Sequence, residues 1–189
     1  MLPSMTPPRG GRRLSAGDWI DAGFAVLADS GPNALRIDPL CGRLNVTKGS
    51  FYWHFTDMAA YRSALVEAWG SLQDRTRRPF ENMPELDPRE RLTAMMQTLV
   101  APQHWALERA MRVWALTSDE VQASVQRSDG RVLRAVRQAF VDGGFEPDDA
   151  TLRSLVMFAS GVGILHASGP TPAAPPELLD GFLDFMLRP

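Results

Sequence analysis

Apolar residues recur along nearly the whole chain at steps of three and four, the spacing of one face of an α-helix. No apolar–polar alternation lasts long enough to suggest a strand. The first periodic segment opens at Ser15, an N-cap with Asp18 three residues on as a weaker capping box. Its apolar face is Ile20, Gly23, Phe24 and Leu27, and Gly31-Pro32 stops it. Ile37, Leu40, Cys41 and Leu44 form a second face. Pro39 is tolerable only in a first turn, so this helix is predicted to start near Asp38 and to run over about 39–44. Asn45 accepts positive φ and permits a sharp change of direction, with Val46 as the apolar plug of the turn. Thr47 is an N-cap whose hydroxyl can accept a first-turn N–H, and a short third helix follows over 48–55. Phe51 and Phe55 share its inner face.

Asp57 caps a long fourth helix striped by Tyr61, Leu65, Trp69 and Leu72 and ended by residues 75–79. A loop over 80–88 leads to a fifth helix over 89–100, with Leu92, Met95, Met96 and Leu99, which Pro102 breaks. Trp105, Leu107, Met111 and Trp114 mark a sixth helix over 104–116. Ser118 caps a seventh, carrying Val121, Val125, Val132, Leu133, Val136 and Phe140 to Gly143-Gly144, where Gly130 allows a kink. Asp148 or Asp149 opens an eighth over 150–168, and Pro176 a ninth with Leu178, Leu179, Phe182, Phe185 and Met186. The prediction is an all-α chain of about nine helices. Ala159, Gly163 and Ala167 recur every four residues and leave a groove where another helix can approach. The last two helices have more apolar surface than one subunit can cover. Leu155, Ala159, Gly163, Ala167, Leu178, Phe182 and Phe185 are therefore read as a symmetric dimer seam, an ordinary intramolecular core being the alternative.

Helix, tight turn, N-capped short helix is the helix-turn-helix pattern, whose second helix enters the DNA major groove. Hydroxyls and free N–H groups at Thr47 and Ser50 suit phosphate oxygens, and Gly49 and Ser50 are small enough for close backbone approach. Lys48, the sole lysine, is assigned to phosphate or a guanine edge. Tyr52, Trp53 and His54 cover the remaining arc and can reach phosphates or a thymine methyl; the alternative is that these rings are core.

With these residues in view, the chain resembles a TetR-type transcriptional regulator. The resemblance is continuous from Trp19 to about Val66 and strongest over Val46-Thr47-Lys48-Gly49-Ser50-Phe51-Tyr52-Trp53-His54-Phe55. It implies a three-helix DNA-binding domain, a fourth helix linking it to a ligand-binding and dimerising body, and DNA contact by Thr47, Lys48, Gly49, Ser50, Tyr52, Trp53 and His54. Five positions depart from the family pattern, two of them Pro39 and Gly42, unusual inside the second helix. Arg36 stands where threonine is frequent, and an arginine can replace that hydroxyl at a phosphate. Asn45 stands where glycine is frequent. Met58 stands where the fourth helix often starts with lysine, which puts one phosphate anchor in doubt and shifts weight to Arg36, Lys48 and the arginines of the arm. The implied division is a flexible basic arm over 1–14, a reading head over 15–57 and a body over 58–189.

Composition changes this little. The chain has 189 residues, 44% of them hydrophobic, enough for a real core. Net charge is −2, so the molecule is no basic coat for nucleic acid. Residues 1–57 hold six basic residues against five aspartates, leaving +1 there and −3 in the remainder. Arg9, Arg12 and Arg13 are candidates for a basic arm that reaches phosphates or a minor groove. The lone Cys41 fits a buried structural role in a reducing interior. No secretory signal is visible, and the helical part of the longest uncharged stretch, 154–176, is judged too short to span a bilayer. These features suggest a cytoplasmic protein with no membrane partner, and the resemblance implies a bacterial one, at the nucleoid when bound to DNA.

A pocket in the body is expected to have apolar, adaptable walls drawn from Trp69, Met95, Met96, Leu99, Trp105, Met111, Trp114, Met157 and Phe158, with His104 and His166 as polar handles; most of these residues must be plain core, which is the favoured alternative for any one of them, and a surface or satisfied core role is the alternative for each histidine. No metal-ligand spacing, phosphate loop or nucleophile–base set is present, so no cofactor, metal or catalytic residue is assigned. The leading reading is a homodimeric repressor released from a double-stranded DNA operator by a small hydrophobic ligand. A regulator without a small ligand is the alternative, and an α-helical enzyme the remote one.

Overall fold

The computed structural model describes residues 14–81, 86–99, 102–167 and 176–188. Among them are nine α-helices and no strand: α1 (Ala16–Ser30), α2 (Ile37–Leu44), α3 (Lys48–His54), α4 (Met58–Glu81), α5 (Pro88–Leu99), α6 (Pro102–Ala115), α7 (Asp119–Asp142), α8 (Pro147–Ala167) and α9 (Pro176–Met186). A short 3-10 turn, Pro32–Ala34, lies between α1 and α2. The basic arm, with Arg9, Arg12 and Arg13, lies outside the described residues except for Leu14.

Local chemistry sets the boundaries. Ser15 and Asp18 form a full reciprocal box, Asp18 N donating to Ser15 Oγ at 3.2 Å and Ser15 N to Asp18 Oδ2 at 2.7 Å. Ser118 caps α7, which runs unbroken through Gly130. Several boundaries differ from the sequence expectation: α2 starts at Ile37 rather than near Pro39 and α6 at Pro102 rather than His104, and two further differences have a clear cause. Helix α4 continues through Pro79 to Glu81, because a proline in a last turn costs a single intrahelical bond. Helix α8 starts at Pro147, so Asp148 and Asp149 sit inside its first turn; a proline with its fixed φ is well suited to open a helix. At 21 residues α8 is long and apolar enough to cross a membrane by length and composition alone, against the expectation of a shorter segment. Here it packs on α7.

The core has two parts. The larger runs without a break from the first three helices into the body: Trp19, Leu27, Leu40, Phe51, Tyr61, Leu65, Trp69, Met111 and Trp114 all belong to it. Helix α6 packs directly on α1, and α4 on both α1 and α7. The smaller part joins α5, α7, α8 and α9 through Leu92, Val136, Phe140, Met157, Leu183 and Met186. The inward face of α1 is rotated from the expected one. Trp19, Ala22 and Val26 are buried with Gly23 and Leu27, while Ile20 and Phe24 are half-buried at its margin.

Gly23 is where α1 meets α4. A Cβ there would lie 2.2 Å from Tyr61 Oη and 2.7 Å from Leu65 Cδ2. Tyr61 is fully buried and donates its hydroxyl to the Trp19 carbonyl at 2.7 Å. Burial without a compensating charge pushes the Tyr61 phenol well above its ordinary range, so it remains a donor. Gly23→Ala would gain up to ~1 kcal/mol in helix propensity. It would lose about 1–3 kcal/mol to overpacking and about 1 kcal/mol from the Tyr61 bond. The expected result is net destabilisation and a thermal midpoint lower by several degrees, read by circular dichroism. A midpoint at or above that of the parent would contradict this packing.

Candidate nucleic-acid interface and ligand cavity

Asn45 ends α2 at φ 53 and ψ 50, the one non-glycine positive φ among the described residues. Its N–H and that of Val46 return to α2 carbonyls, Val46 N to Cys41 O at 3.0 Å. The chain thereby turns within two residues and α3 starts at Lys48. Phe51 fixes the inner side of α3. It is fully buried, edge-on to Trp19 at 5.4 Å and to Tyr61 at 5.5 Å between ring centroids. The opposite side faces solvent. Thr47, Lys48 and Gly49 are exposed, Ser50 is half-buried, and Tyr52 and Trp53 are 56% and 67% exposed. His54 is half-buried, its ring 6.4 Å from Trp19 and 5.1 Å from Trp53, so it borders the surface rather than lying fully on it. Thr47 has the extended backbone of an N-cap, but its side chain makes no capping bond, contrary to expectation. The first-turn N–H groups of α3 are therefore without a side-chain cap from Thr47.

The charges of this face are largely paired. Lys48 Nζ lies 2.7 Å from Asp38 Oδ1, and Arg43 Nη1 lies 2.9 Å from Asp29 Oδ2. The bond to Asp38 raises the Lys48 ammonium above its ordinary value. Arg36 is exposed beside the 3-10 turn, with Nε donating to the Asn33 carbonyl at 3.3 Å. From residue 14 to 57 three basic residues face five aspartates, a net −2. The described head therefore has no overall positive charge with which to draw a polyanion.

A cavity of about 110 Å³ lies in the body. Met95, Met96, Val132, Val136, Met157, Phe158, Val162 and Leu165 form its apolar side, from α5, α7 and α8. Gln73, Arg77, His104, Glu108, Arg112 and Arg131 form its polar side, from α4, α6 and α7. Trp69, Trp105, Met111 and Trp114 do not line it. Trp69, Met111 and Trp114 are buried in the core that joins head and body, and Trp105 is fully buried on α6. The Leu99 side chain lies outside the described residues, and His166 is exposed on α8 away from the cavity.

Sequence reasoning missed the charged side. Glu108 accepts from Arg112 Nε at 3.0 Å and from Gln73 Nε2 at 3.1 Å. Arg112 also forks onto Asp129 at 2.6 and 3.0 Å. Arg77 bonds to Ser128, and Arg131 to Asp74. Burial alone would lower Arg112, but its bonds to Asp129 and Glu108 outweigh this and hold it above its ordinary value. Arg77 has weaker partners and burial lowers it. A signal was present: Gln73 with Arg77 and Glu108 with Arg112 each recur at a step of four on one helix face.

The end of the body exposes an apolar stripe. Leu152, Leu155 and Val156 on α8 are 61%, 50% and 43% exposed, and Leu178 and Phe185 on α9 are 62% and 67% exposed. Ala159, Gly163 and Ala167 continue the α8 stripe at the surface. Phe182 instead is half-buried against the smaller core part, and Leu183 rather than Phe185 anchors α9 inside.

Residues 20–65 match the family model described as Bacterial regulatory proteins, tetR family. Comparison with curated proteins gives no match. Among solved structures, the chain is similar to a transcriptional regulator from Rhodococcus sp. Rha1, with 21% identity, TM-score 0.74, and coverage of 92% of this chain and 94% of that one. It is similar to a TetR transcriptional regulator from Legionella pneumophila at 11% identity and TM-score 0.68, covering 89% and 93%. It is also similar to AibR, solved in complex with isovaleryl coenzyme A and operator DNA, at 16% identity and TM-score 0.68, covering 90% and 96%. At these identities the likeness establishes the shared fold.

Proposed function

We propose, on the premise that the chain belongs to the TetR family of bacterial regulatory proteins, that it is a homodimeric repressor released from its operator by a small hydrophobic ligand. It is a DNA-binding transcriptional regulator of the bacterial cytoplasm and not an enzyme. The observation that carries the proposal is the outward first turn of α3, with Thr47, Lys48, Gly49 and Ser50 presented beyond the Asn45 turn and Phe51 locking the helix from behind. Arg36, Tyr52, Trp53 and His54 flank that turn and extend the contact to phosphates and base edges. Residues 15–57 act as the reading head, 58–189 as the body, and 1–14 as a basic arm. In the dimer two α3 helices sit about 34–36 Å apart, one helical turn of DNA.

Release follows from packing. Helix α6 carries His104, Glu108 and Arg112 at the cavity and Leu107, Ala110, Met111 and Trp114 in the core it shares with α1. A ligand that repacks the cavity wall moves α6 and α4 against the head and spoils the spacing of the two reading helices. The loss of DNA affinity equals the ligand's differential affinity for the two forms.

Lys48 and Asp38 give a test with opposite signs. Lys48→Ala removes a phosphate contact, so affinity falls for all sequences and the salt slope flattens by about 0.9. Asp38→Asn frees Lys48 and removes a carboxylate beside the phosphates, so affinity rises several-fold, mostly for non-specific DNA. Both are read by fluorescence anisotropy with the DNA upstream of the protein's own gene. Unchanged binding in both variants would remove α3 as the reading helix.

A further inference from the structure

Three arginines line the cavity, Arg77, Arg112 and Arg131, against the carboxylate of Glu108. Asp129 and Asp74 also pair with these arginines, but both lie outside the lining, and the Asp74 side chain is 52% exposed. A charge inside the cavity therefore meets an excess of guanidinium at short range, while water screens the outermost carboxylate.

The three cations differ in what they hold. Arg112 is well matched: it takes Glu108 Oε1 at 2.9 Å and forks onto Asp129. Arg131 pairs with Asp74. The Arg77 side chain is 14% exposed, and its contact with Glu108 is 3.8 Å long, to the same oxygen that Arg112 already takes. Its one direct hydrogen bond among the described residues goes to the neutral Ser128 hydroxyl. A guanidinium has five donors in a fork that matches a carboxylate. Arg77 thus keeps donors that no near carboxylate answers, and a largely buried cation in that position gains from a close anion.

The opposite side sets the rest of the ligand. Met95, Met96, Met157 and Phe158 give an apolar, adaptable wall. The Phe158 ring lies 5.9 Å from the Arg112 guanidinium, so the two sides meet within the reach of one small molecule. A cavity of about 110 Å³ is somewhat smaller than the roughly 150 Å³ cavity that takes one benzene ring. With the methionines yielding, it admits a single ring or a short branched chain.

We propose that the cavity takes a small monocarboxylate, with an apolar body of single-ring size on the methionine wall and the carboxylate on Arg77. The inference rests on reading the cavity as the effector site. Arg77 stands on α4, the helix that also packs Tyr61 and Leu65 on α1, so an anion that draws Arg77 acts on the helix tied to the head.

Calorimetry on the full chain without DNA tests it with benzoate, its neutral isostere benzamide, and acetate, which lacks the apolar body. Benzoate is expected to bind about ten- to a hundredfold tighter than benzamide, the range of a hydrogen bond to a charged group. Acetate is expected to bind at least about tenfold more weakly than benzoate, having little apolar surface to bury. In Arg77→Gln the preference for benzoate over benzamide disappears, and Arg77→Lys, which keeps the charge without the fork, retains part of it. Glu108→Gln keeps the shape and removes the carboxylate from the lining, so benzoate binds several-fold tighter. The parent and Glu108→Gln decide alone if Arg77→Gln does not fold. Benzamide or acetate binding as tightly as benzoate, a benzoate preference kept in Arg77→Gln, benzoate binding no tighter in Glu108→Gln, or no binding of any probe would each overturn the proposal. DNA release is measured separately, by anisotropy with the same probes. Benzoate binding without release leaves the ligand class standing and sinks the release mechanism; release by benzamide alone does the reverse.

Discussion

Arg112→Ala is expected to cost about 3–5 kcal/mol of stability, the usual consequence of removing one member of a buried ion network. The side chains of Arg112 and Glu108 are 10% and 6% exposed, and that of Asp129 is 19% exposed. Without the guanidinium, two carboxylates remain in low dielectric with only Arg77 and Gln73 close to Glu108, and Asp129 loses its bidentate partner. The loss would be a large part of the 5–15 kcal/mol that holds a typical domain folded. Arg112→Lys restores the charge but not the fork, so it should recover only part. The network also ties α4, α6 and α7 together around the cavity, so the variant should lose its cooperative melt in the body before the head. Urea denaturation followed by tryptophan fluorescence reads this directly. A stability within about 1 kcal/mol of the parent would mean that the network is solvated and contributes as little as a surface pair.

The parts of this architecture that were legible in the sequence are those written locally. A period of 3.6 residues, Ser15 with Asp18, Ser118, and the Gly143-Gly144 stop gave most helices and their ends. Asn45 followed by a polar, small first turn and an aromatic inner face gave the reading tip, because turn chemistry and helix periodicity agree there. The failures share a cause, which is that the partner lies elsewhere in the chain. Helix α1 is apolar around much of its circumference, so periodicity alone did not show that Trp19 and Val26, rather than Ile20 and Phe24, turn inward. Trp69, Trp105, Met111 and Trp114 looked like cavity walls, since bulk and polarizability suit both roles. The docking of α6 on α1 places Met111 and Trp114 in the shared core, Trp69 reaches it from α4, and Trp105 is fully buried without lining the cavity. Asp129 and Arg112 are 17 residues apart and on different helices, so no spacing rule could join them. Thr47 was expected to satisfy its own helix; a free cap is a local rule broken at the tip, where such departures tend to accompany function.

The second large effect is expected at the end of the body. Leu155→Glu with Phe185→Glu places two carboxylates in the exposed stripe of α8 and α9. Both side chains are half or more in water already, so the fold of a single subunit should lose no more than about 0.5 kcal/mol per site. The stripe is otherwise hard to explain. Leu152, Leu155, Val156, Ala159, Gly163 and Ala167 follow one face of α8 from its second turn to its end, and Arg153 fastens the end of α9 beside them through the Met186 carbonyl. A contiguous apolar face of that kind marks an interaction surface, and small residues at every fourth position let a second helix come close. A symmetric partner would bring the same stripe from the other subunit, so each substitution enters the seam twice and sets like charges against each other. The double variant should therefore sediment as a monomer at concentrations where the parent is a dimer. Its operator affinity should fall by about 10²–10⁴, because two linked heads bind as one and separated heads do not. Binding to a single half-site should be unchanged, since α3 lies far from the seam in sequence and in packing. That contrast separates a lost dimer from a damaged head. A double variant that stays dimeric and binds the full operator as the parent does would leave the stripe without its assigned partner, and with it the geometry that places two reading helices one turn of DNA apart.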